Sequence, residues 1–359
     1  MPSSRPDGDA PLVVGVLYPP AWYGDRAGFG DAVAAIDAID PRVEVLTETY
    51  VEPHDLRSAR GKPDADAHRD EAPALTDAQR AAFARLHVAL AIDLPYDVRR
   101  VAPNLDWVQA VGAGTGQLQS AGLAEHGIRL TTAAGANAVA IAEFALARLL
   151  QVWKRFREID DAQHRHHWEP LYGEQVAGAT LGLLGLGAIN SAVAARAKAF
   201  GLRVVATRRS ATPGATAPDV DELFPPNNLH TMLGQCDAVI AAVPETAETT
   251  GLFDAAAFAA MPPGSCFCNV GRGSLVDEPA LIDALQRGHL RAAALDVASR
   301  EPLPADDPLW DAPNLYLSPH SAAAPTALFA NLHELFEDNV AHYLAGEPLR
   351  NEVDMRRGY

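Results

Sequence analysis

Leu181-Gly-Leu-Leu-Gly185-Leu-Gly187-Ala-Ile-Asn190-Ser-Ala-Val-Ala-Ala-Arg-Ala-Lys-Ala-Phe200 decides the fold. An apolar run ends at Leu184, a glycine turn follows, and Ser191 to Phe200 has the composition of a helix. In that setting the first glycine allows a tight turn and the second lets backbone N–H groups approach a pyrophosphate, while the helix start adds partial positive charge. The backbone of Gly185, Gly187, Ala188 and Ile189 is therefore the candidate diphosphate cradle of a dinucleotide. The third glycine of this fingerprint is Asn190, expected either to push the helix outward or to reach the phosphate with its amide. A strand-to-helix turn of purely structural role is the competing reading.

Working outward, apolar strands are expected at Leu181 to Leu186, Val204 to Thr207, Ala238 to Val243, Cys266 to Val270, Ala292 to Val297 and Leu315 to Leu317. Near-continuous apolar strands alternating with helices imply a parallel sheet covered on both faces, a doubly wound α/β (Rossmann) domain. Upstream, Pro11 to Tyr18 and His87 to Ile92 read as buried strands, and Thr76 as a helix cap. Arg57 to Ala74 shows no apolar period and is expected to be an exposed loop. Ala138 to Arg157 and Pro325 to Ala345 read as long helices flanking the doubly wound block. The dinucleotide-binding domain, 138–324, is thus expected to be inserted into a second, smaller, flavodoxin-like α/β domain made of 1–137 and 325–359, the substrate domain.

Composition narrows the function classes. The chain has 359 residues, 48% hydrophobic and 21% charged, which suits a two-domain globular protein. Against 29 basic residues stand 46 acidic ones, a formal net charge of −17. With no basic run to offset it, this argues against nucleic-acid and anionic membrane partners. The start, Met1 to Ala10, is polar, and no stretch of about 20 apolar residues occurs, so a cytoplasmic protein is expected. Three cysteines, Cys236, Cys266 and Cys268, make no disulfide framework, and the last two alternate in an apolar run as buried strand residues do. They are read as core and not as metal ligands.

At the end of the second strand of such a domain, an NAD site carries Asp or Glu toward the ribose hydroxyls. Here the segment is Ala206-Thr207-Arg208-Arg209-Ser210. A carboxylate would repel a 2′-phosphate, whereas two guanidinium groups and a hydroxyl would accept it. NADP(H) is accordingly preferred over NAD(H), with Thr207, Arg208 and Arg209 as its candidate ligands. Two surface arginines without a ligand are the alternative.

Further motifs stand at the ends of the later strands: Asn269-Val-Gly271-Arg272-Gly273-Ser-Leu-Val-Asp277, then Leu295-Asp296-Val297 with Arg300-Glu301-Pro302, then Ser318-Pro319-His320-Ser-Ala-Ala-Ala324. Together they resemble the D-isomer-specific 2-hydroxyacid dehydrogenase family, over about Val108 to Asp354, most specifically the glyoxylate/hydroxypyruvate reductase-like members. Also similar are Asn137-Ala138 leading to Ala142-Glu143, Pro244-Glu245-Thr246, and Pro302-Leu-Pro followed by Pro308-Leu309-Trp310. The amino-terminal hundred residues or so match in strand and helix layout alone.

The resemblance implies that His320 donates and accepts the proton, that Glu301 is its carboxylate partner, and that Arg272 anchors the substrate carboxylate and carbonyl. Elementary chemistry agrees: hydride arriving at a ketone carbon builds charge on oxygen, which an imidazolium neutralises and a planar guanidinium polarises. It further implies cofactor contacts from Val243, Pro244 and Val270, and from Asp296 to the nicotinamide carboxamide. The substrate loop corresponds to Val111-Gly112-Ala113-Gly114-Thr115-Gly116, with the backbone of Ala113 and Gly114 on the substrate carboxylate. Gly116 stands where many relatives carry Asp, and Ala323 where Gly often follows the histidine. The three glycines make the loop flexible.

The implied activity is NADPH-dependent reduction of a small 2-oxo acid to its D-2-hydroxy acid, in a cleft between domains, by a homodimer. The alternatives are an NAD-linked dehydrogenase of a larger 2-hydroxy acid and, from another class, a non-catalytic nucleotide-responsive binding protein. The cluster His164-Arg-His166-His167-Trp168 lacks a completing carboxylate and is read as a surface stretch, with no metal and with Trp168 as an anchor at a subunit contact.

Overall fold

The computed structural model describes residues 10–23, 26–62, 64–212 and 215–355. The polar start of the chain, apart from Ala10, lies outside the described residues. The chain divides into two units: one runs up to Ala136 and resumes at Pro325, and the other is Asn137–Ala324. Asn137, expected in the first unit, belongs to the second, where its Oδ1 accepts from Ala324 N at 3.4 Å.

In the second unit seven strands run parallel: β6 (Thr180–Leu184), β7 (Arg203–Thr207), β8 (Glu222–Phe224), β9 (Ala238–Ala241), β10 (Ser265–Asn269), β11 (Leu290–Leu295) and β12 (Leu315–Leu317). Their order, β12-β11-β10-β9-β6-β7-β8, reverses direction between β6 and β9. This is a doubly wound Rossmann sheet, and such a reversal opens a crevice at the carboxyl ends of its strands. Side chains alternate between two apolar layers, Val204 and Ala206 on one face with Val205 on the other, and Cys266 and Cys268 on one with Phe267 on the other. Phe267 is wholly buried and its ring lies 4.5 Å from that of Phe253; burying a side chain of this size contributes about 1.5–3 kcal/mol. Burial also pushes the thiols of Cys266 and Cys268 up to about 12, which leaves them inert.

The first unit has a parallel sheet of β1 (Leu12–Val16), β2 (Val43–Leu46), β3 (Val88–Ala91), β4 (Trp107–Ala110) and β5 (Arg129–Thr131), in the order β2-β1-β3-β4-β5. That is the flavodoxin order. The helix Pro325–Ala345 completes this core, with Phe329, Leu332, Phe336 and Val340 against Leu12, Val14 and Val16.

Two expectations are corrected. Arg57 to Ala74 is not a loop: His54–Arg60 is helical and Ala65–Glu71 is a 3₁₀ helix. No apolar period announces them because buried charges anchor them. Arg60 and Glu52 are fully buried partners, and Arg57 donates to Asp93 through Nε and Nη2 at 2.8 and 2.6 Å. The segment Ala138 to Arg157 is not one helix either. It ends at Trp153, Arg155 adopts a left-handed φ of 57°, and a new helix spans Phe156–His164. The backbone of the returning strand of chain stops it: Glu174 N donates to Trp153 O at 2.8 Å, taking the carbonyl that a further turn would need.

Candidate active site

β6 ends at Leu184, and the chain turns at Gly185 with φ +76°. A Cβ there would lie 2.4 Å from Val243 Cγ1, so conformation and space both require glycine. The turn is fastened twice. Gly185 N donates to Thr207 Oγ1 at 2.8 Å, and Asn190 Nδ2 donates to the carbonyls of Leu184 and Gly185 at 2.8 and 2.6 Å. Asn190 is fully buried with its amide nitrogen committed to these carbonyls, so it does not reach out to a phosphate: it ties the helix Ala188–Ala199 to the strand end. A Cβ on Gly187 would meet nothing within 4 Å, which leaves the backbone open on that side. Among the described residues, the N–H groups of Leu186, Gly187, Ala188 and Ile189 have no hydrogen-bond partner. An open backbone, unpaired donors and a helix start fit a diphosphate.

Thr207 is buried at the end of β7, and its hydroxyl supports Gly185. It shapes the cradle, while Arg208 and Arg209 are exposed just beyond it and Arg209 lies 4.0 Å from Glu248. Val243 and Pro244 follow β9 across the topological switch, and Val270 follows β10 and is buried.

The polar residues further along gather by backbone contact. Asn269, fully buried, accepts from Gly271 N at 3.0 Å and donates to Arg272 O at 2.8 Å, bending the chain so that Arg272 leaves the end of β10 half-buried. Gly273 then packs directly on the Ala298–Ser299 peptide: a Cβ on it would sit 1.9 Å from Ala298 C and O. This brings the Arg272 loop against the segment leading to Glu301. Glu278 holds that segment from the other side, accepting from Ser299 N and Oγ at 2.7 and 2.6 Å. Glu301 accepts from Ala298 N at 3.0 Å and from His320 Nδ1 at 2.9 Å.

A carboxylate can only accept, so Nδ1 carries the hydrogen and Nε2 remains, without a partner among the described residues. The hydrogen bond to Glu301 raises the His320 pKa above the usual imidazole value, against the opposing effect of burial. Burial would raise the Glu301 carboxyl, but the bonds from His320 and Ala298 N, with the charges of His320 and Arg272, hold it below its ordinary value. Arg272 is thus close enough for its charge to act on both partners.

A family model described as the NAD binding domain of D-isomer specific 2-hydroxyacid dehydrogenases matches residues 146–322. The chain belongs to the D-isomer specific 2-hydroxyacid dehydrogenase family. A D-3-phosphoglycerate dehydrogenase of Mycobacterium leprae is 34% identical over 275 residues, which are 76% of this chain and 51% of that one. The chain therefore spans about half the length of the curated relatives it matches. Among solved structures, a family protein from Aeromonas salmonicida has a TM-score of 0.73 at 26% identity, covering 96% of this chain and 99% of its own. The NADPH-dependent glyoxylate/hydroxypyruvate reductase of Sinorhizobium meliloti, solved with NADP and sulfate, has a TM-score of 0.73 at 26% identity, covering 98% and 100%.

In this member of the 2-hydroxyacid dehydrogenase family, Asp296 braces the turn that carries the histidine. Its carboxylate accepts from Ser318 Oγ at 2.6 Å and from Ser321 N and Ala322 N at 3.0 Å each, and its own carbonyl accepts from His320 N at 2.8 Å. It cages the turn that holds His320 at φ 52°, a conformation that a non-glycine residue keeps only where its surroundings impose it. Sequence reasoning also missed Asn269 and Glu278; a polar residue closing the apolar run of β10 was the available signal for the first. The loop Val111–Gly116 belongs to the first unit and follows β4 there. Among the described residues, the N–H groups of Gly112, Ala113 and Gly114 are unpaired, and Ala113 and Gly114 are exposed.

Among the described residues no group of His, Cys, Asp or Glu is placed to hold a metal ion, and no helix is long and apolar enough to cross a membrane. His164 Nδ1 instead pairs with Asp160 O at 2.7 Å.

Proposed function

We propose that the protein reduces a small 2-oxo acid of the glyoxylate or hydroxypyruvate class to the D-2-hydroxy acid, using NADPH. The observation that carries this reading is the His320–Glu301 pair with the charge of Arg272 acting on both. The second unit would bind the dinucleotide and the first the substrate. The backbone of Gly187, Ala188 and Ile189 would hold the diphosphate, Val243, Pro244 and Val270 would flank the cofactor, and Arg208 and Arg209 would face a 2′-phosphate. The dinucleotide, when bound, supplies hydride to the carbonyl carbon. As charge builds on the carbonyl oxygen, His320 gives it the Nε2 proton, and Glu301 stabilises the imidazolium before that transfer and orients it. Arg272 offers a planar fork to the carboxylate and polarises the carbonyl. In the first unit, the unpaired N–H groups of Ala113 and Gly114 would offer backbone donors to a carboxylate. Asp296 keeps one acceptor position for a carboxamide while it holds the histidine turn.

Two copies of the chain would associate through the segment after Phe156–His164, where Trp168 and Tyr172 are 100% and 83% exposed.

The test is NADPH oxidation over a panel of short, branched and aromatic 2-oxo acids. His320→Ala and Arg272→Ala are expected to lower kcat/KM by at least about a hundredfold while NADPH still binds. Tight NADPH binding with no turnover of any acid by the unaltered protein would leave a nucleotide-responsive binding protein. A second reading, an NAD-linked dehydrogenase of a larger acid, is favoured by Glu248 lying beside Arg209 and by the D-3-phosphoglycerate dehydrogenase relatives. Comparing kcat/KM with NADPH and NADH separates the two, a strong NADH preference supporting the second.

A further inference from the structure

The loop expected to bind the substrate carboxylate contains Gly112, Gly114 and Gly116, and so has little rigidity of its own. A side chain more than fifty positions earlier in the chain, Arg60, is bonded to the end of the short helix that follows this loop. Arg60 ends the helix His54–Arg60, is 1% exposed and reaches three segments at once. Nη1 donates to Glu52 Oε1 and, at 2.7 Å, to Leu94 O; Nε donates to Ser120 Oγ at 2.9 Å; and the guanidinium lies 3.9 Å over the Tyr96 ring. Ser120 passes the constraint on. Its hydroxyl donates to Gln117 O at 2.8 Å, and Gln117 Nε2 donates to Ile92 O at 2.9 Å, while Gln119 Nε2 donates to Thr115 Oγ1 at 3.3 Å. Next to Arg60, Gly61 touches Gly116 through bare backbone: a Cβ on Gly116 would lie 3.0 Å from Gly61 Cα, so a side chain there would require the Gly61 backbone to give way by a few tenths of an ångström.

We infer that Arg60 is a positioning residue for the substrate loop, acting through Ser120, an inference that rests on the reading of that loop given above. Its role is not recognition of an anion by charge. Arg60 is matched by buried Glu52 and Arg57 by buried Asp93, so the four charges cancel. A buried, balanced cluster that fastens the ends of three loops fixes geometry, and fixed donors bind a carboxylate without first having to be ordered. A loosened loop is competent for only part of the time, which weakens apparent substrate affinity in proportion.

The first variant leaves the buried ion pair untouched. Ser120→Ala is expected to raise KM for the 2-oxo acid about tenfold, with kcat and the NADPH Kd within about twofold, and to speed amide exchange at residues 112–115 several-fold. Ser120→Thr, which keeps the acceptor, should restore both. Arg60→Lys should reproduce the KM rise, and the double variant should add little to either single one, as coupled partners do. Unchanged KM and exchange in Ser120→Ala, equal damage from Ser120→Thr, or additive effects in the double variant would overturn the inference. If the unaltered protein reduces none of the acids, the proposed function fails, and exchange at 112–115 alone then decides whether Arg60 orders the loop.

Discussion

His320 titrates in the company of Glu301, and the sign of its shift makes a kinetic statement. The hydrogen bond to Glu301 raises the histidine's pKa, so the imidazolium needed to protonate the carbonyl oxygen persists to a higher pH than for an isolated imidazole. For reduction, kcat/KM is expected to stay level below that raised pKa and to decline as pH rises through it. In Glu301→Gln the main cause of the shift is gone, and the decline should move to lower pH; a pH–rate profile with the midpoint unmoved would contradict the assignment. The same sign applies to stability. The histidine's share of the pair is lost as pH rises through its raised pKa, and the glutamate's is lost as pH falls through its lowered one, so the pair supports the fold between those limits. At this scale, the residues whose chemistry is named by their own type were legible: a guanidinium, a carboxylate and an imidazole at strand ends. Roles defined only by a neighbour in space were not, which is why Asn190, Thr207 and Asp296 turned out to brace backbone turns.

At the scale of elements, Thr76 shows how a local pattern carries through. Its hydroxyl accepts from Gln79 N at 3.1 Å and Gln79 Oε1 accepts from Thr76 N at 2.9 Å, a reciprocal cap on the helix Asp77–Phe83. Thr76→Ala is expected to cost about 1 kcal/mol, read as a lower denaturant midpoint at unchanged slope; an unmoved midpoint would refute the cap's contribution. The central strands of both sheets that were read from sequence are continuous apolar runs, buried on both faces, and such runs speak for themselves. Four short strands escaped notice: β2, β5 and β8 each carry a charged residue, Glu44, Arg129 or Glu222, and β4, though buried throughout, is a four-residue run interrupted by Gln109; each is recognisable only from the neighbour it pairs with. The helix His54–Arg60 escaped for a related reason: arginines facing inward look, in sequence, like arginines facing water.

At the scale of the whole molecule, the two-unit plan follows from strands alternating with helices and from a long apolar helix set apart at the end of the block. The helix Pro325–Ala345 is the wall of the first unit's core, so Phe336→Ala, at a fully buried position beside Trp107, should cost about 3–5 kcal/mol. Hydrogen exchange is expected to quicken at β1 and β3 in that variant, and protection equal to the unaltered protein would show that the helix is dispensable to the sheet. Translation order gives this arrangement a temporal side. One wall of the first unit's interior is the last part of it to be made, and synthesising residues 137–324 at about 5–20 residues per second keeps the nascent sheet waiting for about 10–40 s. During that interval Leu12, Val14 and Val16 lack their apolar cover, which makes the half-finished polypeptide, more than the mature one, the form that a chaperone would need to shield.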